Sequence, residues 1–216
     1  MTSLFFYGAQ CTPEIWHQFN PLITSLEPVY VIYPHDILQQ ADSITDLAKW
    51  AKQSISTGLV LDCLIGHSMG GLIALELAAT HRVPCRKVIL IESNLRPANA
   101  FYRNLLTAEN QMRYGDQVRR MLQSEAPYYS PNLKQSLQQD FDFTDLVRTC
   151  PVEIHTIYGD RGIPDYPQRI ADLCLDEDVT AQIQFHFVKD SCHLPMIENP
   201  EGLAELLNAI ISPSGQ

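Results

Sequence analysis

One pentapeptide constrains this chain more than any other stretch. Gly66-His67-Ser68-Met69-Gly70 follows the short apolar run Cys63-Leu64-Ile65, and an Ala/Leu-rich run with helical spacing comes directly after it. This order predicts a sharp turn from a strand into a helix, with the side chain of Ser68 presented above a sheet. The crowded backbone of such a turn leaves no room for Cβ atoms at Gly66 and Gly70. The pattern predicts a nucleophilic Ser68; the alternative is a glycine-rich turn that only packs.

The composition fits one globular domain, which we expect to span residues 1–216. Hydrophobic residues make up 45% of the chain and charged residues 19%, as in ordinary globular proteins. The formal net charge of −10 argues against a nucleic-acid partner, because phosphate binding needs clustered lysines and arginines.

The scattered cysteines and the N-terminus indicate the compartment. The six cysteines form no C-x-x-C pair, which favours a reducing environment. Leu4–Tyr7 opens the chain without a signal-peptide pattern, and no apolar run reaches membrane-spanning length. We therefore expect a cytoplasmic protein without a membrane partner.

No sequence pattern indicates a metal or a cofactor. The seven histidines show no H-E-x-x-H or paired ligand spacing, and neither G-x-G-x-x-G nor a Walker-type loop occurs. We therefore expect neither to be needed.

Strand and helix patterns alternate along most of the chain. This alternation predicts an α/β fold with a mostly parallel, doubly wound sheet of about six strands. The predicted strands cover residues 4–7, 28–33, 59–65, 87–91, 152–158 and 183–188. The predicted helices begin at Thr12–Pro13 (with inward positions to Leu26) and at Asp42 or Ser43, and cover 70–80, 169–175 and 200–211. Residues 35–41 are predicted to be a polar loop and 213–216 a frayed end.

The alternation lapses between residues 96 and about 149. Helical spacings continue there without a convincing strand, which predicts a helical cap over the carboxyl ends of the strands. Its aromatic residues suit an apolar substrate group, and Phe101, Tyr102 and Tyr128 are the candidates for substrate binding. The alternative is that most of these rings only pack the cap onto the sheet.

Four segments, together with the pentapeptide, resemble the α/β-hydrolase family over almost the whole chain. Phe6–Ala9 stands where the family has an apolar-His-Gly-x segment, and Trp16 resembles the tryptophan that follows it. Asp145–Val152 resembles the lead into the penultimate strand, and Cys192–Pro200 resembles the family's histidine segment G-H-x-x-x-x-E-x-P. The resemblance implies a short version of that fold.

The resemblance also implies roles for four residues. Ser68 would be the nucleophile, and His193 would be the base that activates it and then protonates the leaving group. The backbone N–H groups of Ala9 and Met69 would form the oxyanion hole. The partner implied is a small-molecule acyl substrate.

The third catalytic residue departs from the family pattern. Where the family usually has an aspartate, this chain has Gly162, and Asp160 lies two positions earlier. Some family members carry the acid after the strand that follows the nucleophile helix, where this chain has Glu92. We rank Glu92 above Asp160 because a carboxylate after a buried strand needs a partner. The alternatives are that Glu92 pairs with Arg96 or caps a turn, and that no acid takes part.

The function implied is a serine hydrolase that cleaves an ester or thioester through an acyl-Ser68 intermediate. An acyltransferase or lyase would use the same serine and histidine on other substrates. A non-catalytic binding protein on this scaffold is a third reading, because fold alone does not imply activity. The oligomeric state stays open.

Overall fold

A computed structural model describes residues 2–55, 61–138 and 141–212 of the chain. Its centre is one sheet of six parallel strands in the order β2-β1-β3-β4-β5-β6. The strands are β1 (Thr2–Phe6), β2 (Glu27–Val31), β3 (Leu61–His67), β4 (Cys85–Ile91), β5 (Glu153–Gly159) and β6 (Ile183–Val188). The predicted α/β class and strand number are confirmed, and the sheet is wholly parallel.

The two central strands explain why the sequence folds around them. In β3 and β4 the apolar runs Leu64–Ile65 and Val88–Ile91 are fully buried, because helices cover both faces of the sheet. The strand order reverses between β1 and β3, since the chain leaves β1 towards β2 and returns to pair β3 on the other side. The carboxyl ends of β1 and β3 therefore flank the crevice where open α/β sheets hold ligands.

Nine α-helices occur in the described parts of the chain. They are α1 (His35–Gln40), α2 (Ile44–Ser54), α3 (Met69–Ala79), α4 (Ala108–Glu125), α5 (Pro131–Ser136), α6 (Thr144–Thr149), α7 (Glu177–Thr180), α8 (Pro195–Glu198) and α9 (Pro200–Ile211). The predicted bounds of β6 and α9 are confirmed to the residue. None of the helices in the described ranges is long and apolar enough to cross a membrane.

The helix predicted from Thr12 onward is wrong in kind. Two short 3-10 helices, Pro13–Trp16 and Asn20–Leu22, stand in its place. Pro21 lacks the N–H that an α-helix interior requires, and it disfavours helical backbone at the residue before it. The inward residues Ile15 and Phe19 are nevertheless buried, because the 3-10 turns still present them to the sheet.

Two further local predictions are wrong. Residues 35–41, predicted to be a loop, contain helix α1, in which Leu38 is buried and the neighbouring Ile37 is half-buried. The helix predicted over 169–175 is only a 3-10 turn, Ala171–Leu173, and Cys174 ends it with a left-handed φ of 56°. A single buried apolar residue in α1 was too weak a periodic signal. The predicted strand positions 59 and 60 and the predicted frayed end at 213–216 lie outside the described residues.

The segment between β4 and β5 is helical, as the sequence predicts. It contains α4, α5 and α6, and no strand occurs in its described part. Residues of this segment and the loops at the carboxyl ends of β1, β3, β4 and β6 line the same cavity. Residues of the helical segment therefore share this cavity with Ser68.

Candidate active site

Ser68 occupies the turn between β3 and α3. Its backbone has φ 51° and ψ −121°, a strained conformation for a residue with a side chain. Its N–H donates to the carbonyl oxygen of Ile91 at 2.8 Å, which fixes the turn to the end of β4. Residues held in such backbone regions concentrate at functional sites, so this turn has the features expected of a nucleophile.

The two glycines of the pentapeptide are required by close backbone contacts. A Cβ atom on Gly66 would lie 2.2 Å from the backbone of Gly70. A Cβ atom on Gly70 would lie 2.5 Å from the carbonyl oxygen of Phe6 in β1. Because both contacts are with backbone, neither glycine tolerates a side chain without movement of the sheet edge.

The side chains of His193 and Ser68 are in contact at the wall of the cavity. The Nε2 atom of His193 lies 3.1 Å from the Oγ atom of Ser68, although 125 positions separate the residues in the chain. This is hydrogen-bond distance, and the serine hydroxyl donates to an unprotonated Nε2 when the other ring nitrogen carries the proton. The structure brings together the two residues that the sequence singled out first.

The loop that carries His193 is fixed by Glu198. One carboxylate oxygen of Glu198 accepts hydrogen bonds from the N–H groups of Cys192 at 2.7 Å and Leu194 at 3.3 Å. The other oxygen accepts from the N–H of Thr107, just before α4, at 2.8 Å. Burial raises the pKa of Glu198 against the effect of these hydrogen bonds. The carboxyl group thus joins the histidine loop to the helical segment.

His67, the neighbour of Ser68, holds the same loop from the other side. The sequence suggests that its side chain only fills a position of the motif. In the structure its Nε2 donates to the carbonyl oxygen of His193 at 2.7 Å, and the ring is fully buried. Burial, followed by the proximity of His193, lowers the pKa of His67 to about 3. The ring is therefore neutral at ordinary pH and serves as a hydrogen-bond donor.

The two candidate acids have different surroundings. Glu92 is 2% exposed, and its Oε2 lies 3.5 Å from Nδ1 of His193. Asp160 instead accepts hydrogen bonds from the backbone N–H groups of Gly162 at 2.8 Å and Asp190 at 2.7 Å. Of the two carboxylates, Glu92 is the one that faces the imidazole, while Asp160 joins two loops.

Arg161 is a residue that the sequence reasoning missed. Its guanidinium forms a bidentate pair with Glu92, with both N–O distances 2.6 Å. Arg96, the partner considered from sequence, instead pairs with Asp142 and Asp176 on the surface. Arg161 lies next to Asp160 in a loop, and no periodicity marks it. Its only sequence signal is a cation just beyond the end of the strand adjacent to β4.

Ala9 and Met69 line the cavity together with Ser68. Met69 is the first residue of α3, where helix N–H groups have no partner inside the helix. In the described parts of the chain, neither amide donates a backbone or side-chain hydrogen bond. Two N–H groups without a partner in these ranges therefore belong to residues that line the cavity.

The cavity above Ser68 has a volume of about 500 Å³, within the usual range for small-molecule sites. Its wall is mainly apolar, with Met69 and Leu72 from α3 and Phe141 and Phe143 from the segment before α6. Further polar and charged groups on the wall are Gln10, Asn94, Arg103, Lys134, Ser136 and Gln138.

The three aromatic residues predicted to bind substrate lie elsewhere. Phe101 stacks on Tyr166 with ring centres 4.1 Å apart, and Tyr128 stacks on His35 with ring centres 3.5 Å apart. Tyr102 is buried and donates to the carbonyl oxygen of Arg169. None of the three is among the residues that line the cavity in the described chain. Tyr102 packs on Tyr158 of β5, whereas Phe101 packs on a loop after β5 and Tyr128 on α1.

Two cysteines lie close to the site but are protected. Cys11 and Cys192 are buried, and burial raises the pKa of each thiol to about 12. A thiol is nucleophilic only as the thiolate, so both side chains act as small apolar groups at neutral pH.

Comparisons with known proteins agree with this architecture. Residues 8–206 match the model of the Alpha/beta hydrolase family. A search of curated proteins found no match.

Several solved structures share the fold at low sequence identity. The lactone-degrading enzyme Est816, described as degrading N-acyl homoserine lactones, has a TM-score of 0.72 and 15% identity, with 97% of this chain and 92% of that chain covered. The enol-lactonase from Burkholderia xenovorans LB400 has a TM-score of 0.73 and 13% identity, with 98% and 91% covered. Carboxylesterase CesB from Bacillus subtilis has a TM-score of 0.66 and 16% identity, with 98% and 83% covered. These likenesses concern the fold alone. Because the family model matches most of the sequence, the chain belongs to the alpha/beta hydrolase family.

Proposed function

We propose that this protein is a serine hydrolase that cleaves an ester or thioester through an acyl-Ser68 intermediate. The observation that carries the proposal is the 3.1 Å contact between His193 Nε2 and Ser68 Oγ at the wall of the cavity. A serine hydroxyl is a weak nucleophile at neutral pH and needs an adjacent base. The strained backbone of Ser68 and the neighbouring amides of Ala9 and Met69 support the same role.

In the acylation step, Ser68 Oγ attacks the acyl carbon while His193 Nε2 takes the hydroxyl proton. The carbonyl oxygen becomes an oxyanion, which the N–H groups of Ala9 and Met69 stabilise. The tetrahedral intermediate collapses, the bond to the alcohol or thiol breaks, and the imidazolium returns its proton to that leaving group. Water then attacks the acyl-enzyme by the same route and releases the acid.

Glu92 is the proposed acid of the triad. Its carboxylate faces Nδ1 of His193 at 3.5 Å, and hydrogen bonds of this kind commonly shorten when substrate binds. A negative charge there favours the tautomer with the proton on Nδ1 and stabilises the imidazolium that forms. Asp160 is the second candidate from sequence; its hydrogen bonds to two backbone amides favour a structural role.

The cavity and the similar proteins support the choice of substrate class. About 500 Å³ of largely apolar space suits a small or medium acyl group. Two of the similar structures are described as a lactone-degrading enzyme and an enol-lactonase, and a third as a carboxylesterase. Since a lactone is a cyclic ester, linear esters and lactones are the substrates to test first.

The test compares two serines of the same cavity. Ser68→Ala is expected to abolish hydrolysis of short p-nitrophenyl esters and the mass increase caused by a fluorophosphonate probe. Ser136→Ala removes another hydroxyl from the cavity wall, and its activity is expected to stay near that of the wild type. Equal turnover or equal labelling in Ser68→Ala and the wild type would overturn the proposal. Circular dichroism of each variant checks that the fold is intact.

A further inference from the structure

The Glu92 carboxylate that faces His193 also forms an ion pair with the buried side chain of Arg161. Nη1 of Arg161 lies 2.6 Å from Oε1 of Glu92, and Nη2 lies 2.6 Å from Oε2. We propose that Arg161 is a positioning residue of this active site, which orients Glu92 and sets the pH range in which His193 acts as a base. The inference rests on the serine hydrolase function proposed above.

The first part of the argument is the geometry of the carboxylate. Oε1 accepts from Arg161 and also from the N–H of Gly159 at 2.5 Å. Oε2 accepts from the other arm of Arg161 and is the oxygen that faces His193. A guanidinium fork matches both oxygens at once, so it fixes the plane of the carboxylate as well as its position. One oxygen is thereby directed to the imidazole.

The second part is the charge. The side chains of Glu92 and Arg161 are 1% and 3% exposed, so neither charge is solvated by bulk water. Burial alone would raise the pKa of Glu92, but the charge of Arg161 and the contacts with His193 outweigh burial and hold that pKa below its ordinary value. The carboxylate is therefore ionised throughout the neutral range. Its charge is largely offset by Arg161, which limits how strongly it favours a proton on His193.

The third part is the backbone. Glu92 has φ 51° and Arg161 has φ 58°, left-handed values that are unfavourable for residues with side chains. They follow the neighbouring strands β4 and β5 at the same edge of the sheet. These conformations turn the two side chains towards each other, and such strain persists where surrounding contacts over-determine it.

Aromatic rings complete the enclosure of the guanidinium. The Cζ atom of Arg161 lies 4.5 Å from the ring centre of Tyr102 and 5.7 Å from that of Phe101. Tyr102 packs in turn on Tyr158, with ring centres 5.0 Å apart. Two of the rings predicted to bind substrate thus cover the cation, which keeps water away from the pair.

Four titratable side chains packed around the pair do not change charge in the working range. Burial raises the pKa of the Tyr102 and Tyr158 hydroxyls and raises that of the Cys192 thiol to about 12. Burial lowers the pKa of His67 to about 3. All four side chains are therefore neutral between pH 5 and pH 9, and His193 is the group beside the pair that Arg161 can influence.

The test measures where the acidic limb of the pH profile lies. Arg161→Met removes the charge that offsets Glu92, so the acidic limb of kcat/KM for a p-nitrophenyl ester is expected to move up by about one pH unit or more. On that limb, one unit is about a tenfold loss of kcat/KM. Arg161→Lys keeps the positive charge but loses the bidentate hydrogen bonds to Glu92. The acidic limb of its pH profile is therefore expected to stay near that of the wild type, while kcat falls. A limb unmoved in Arg161→Met would overturn the inference, because a purely structural role changes the active fraction and not the profile.

Measuring Arg161→Met in a Glu92→Gln background controls for the case in which Arg161→Met alone fails to fold. Glu92→Gln combined with Arg161→Met removes both buried charges together. If Arg161 acts through Glu92, Arg161→Met causes no further loss of kcat in the Glu92→Gln background. A further loss of similar size in both backgrounds would contradict the inference.

A readout without turnover separates this inference from the proposed function. The pH midpoint of the His193 imidazole resonances, assigned with His193→Gln, is expected to rise in Arg161→Met relative to the wild type. If the wild type neither hydrolyses esters nor reacts with a fluorophosphonate, the hydrolase proposal fails. If the midpoint stays in place, the inference about Arg161 fails.

Discussion

The Nε2 atom of His67 lies 2.7 Å from the carbonyl oxygen of His193, so the residue beside Ser68 anchors the loop that carries the proposed base. Its Nδ1 is buried without a hydrogen-bond partner in the described chain. A neutral donor is the form that this geometry requires, because a second ring proton would be buried without an acceptor.

This burial predicts how stability depends on pH. Burial holds the pKa of His67 at about 3, against its ordinary value of 6.5. The unfolded chain therefore binds a proton that the folded chain does not, and the free energy of unfolding falls as the pH drops below about 6.5. The expected loss from this group is roughly 2 kcal/mol between pH 7 and pH 5.

Urea unfolding of His67→Phe at both pH values checks this prediction. The variant is expected to be less stable at pH 7 by about 1–3 kcal/mol, because the carbonyl of His193 loses its donor. Its stability is expected to fall less than that of the wild type on acidification. His17→Phe, at an exposed position, serves as the control. The same pH dependence in His67→Phe and the wild type would contradict the prediction.

The two candidate acids are separable by mutation. Glu92→Gln is expected to lower kcat for a p-nitrophenyl ester by about 10²–10⁴, because the imidazole loses the carboxylate that fixes its tautomer. Asp160→Asn is expected to keep kcat within about tenfold of the wild type and to lower stability, since two backbone amides lose a charged acceptor. Rates are compared per active site, counted by fluorophosphonate labelling. The reverse order of effects would transfer the role of the acid to Asp160.

The charges on the cavity wall predict a preference for acidic acyl groups. Arg103 and Lys134 line the cavity, and the one carboxylate on its described wall is Glu92, whose charge Arg161 offsets. A p-nitrophenyl monoester of glutaric acid is therefore expected to have a KM about two- to fivefold lower than p-nitrophenyl butyrate. The preference is expected to weaken as salt is added.

Removal of the cations tests the source of that preference. Arg103→Met and Lys134→Met are each expected to raise KM for the acidic ester and to leave KM for the neutral ester nearly unchanged. Arg120→Met removes an exposed arginine of α4 that does not line this cavity, and it serves as the matched control. An equal effect of all three variants on the two esters would refute the prediction.

Glu198 is expected to support activity by holding the His193 loop against the helical segment. Glu198→Ala leaves the amides of Cys192 and Leu194 without their acceptor, at a cost of about 1–3 kcal/mol for each buried group. Both the free energy of unfolding and the rate of fluorophosphonate labelling are expected to fall. Glu198→Gln keeps one acceptor oxygen and is expected to lie between Glu198→Ala and the wild type. Glu201→Ala, an exposed change one turn away in the sequence, is the control; if it slows labelling equally, Glu198 has no special role.

The sequence by itself determined the sheet and the two residues with the strongest local signals. Continuous apolar runs such as Val88–Ile91 are long enough to be recognised as buried parallel strands. The Ser68 turn is recognisable because its glycines are dictated by contacts between neighbouring backbone segments. His193 is recognisable because Cys192–Pro200 resembles the family's histidine segment, and Glu198 of that segment holds the loop by short-range hydrogen bonds.

Tertiary structure decided the partners that lie far apart in the chain. The pairing of Glu92 with Arg161 joins residues 69 positions apart, and no local pattern records it. The same holds for Phe101 and Tyr102, whose aromatic character suits a substrate pocket and a buried cation equally well. A side chain's chemistry limits what it can bind, but the neighbour it meets depends on how adjacent strand ends and the covering helices pack. The proposed nucleophile could therefore be identified from sequence, while the environment of the proposed acid depended on three-dimensional packing.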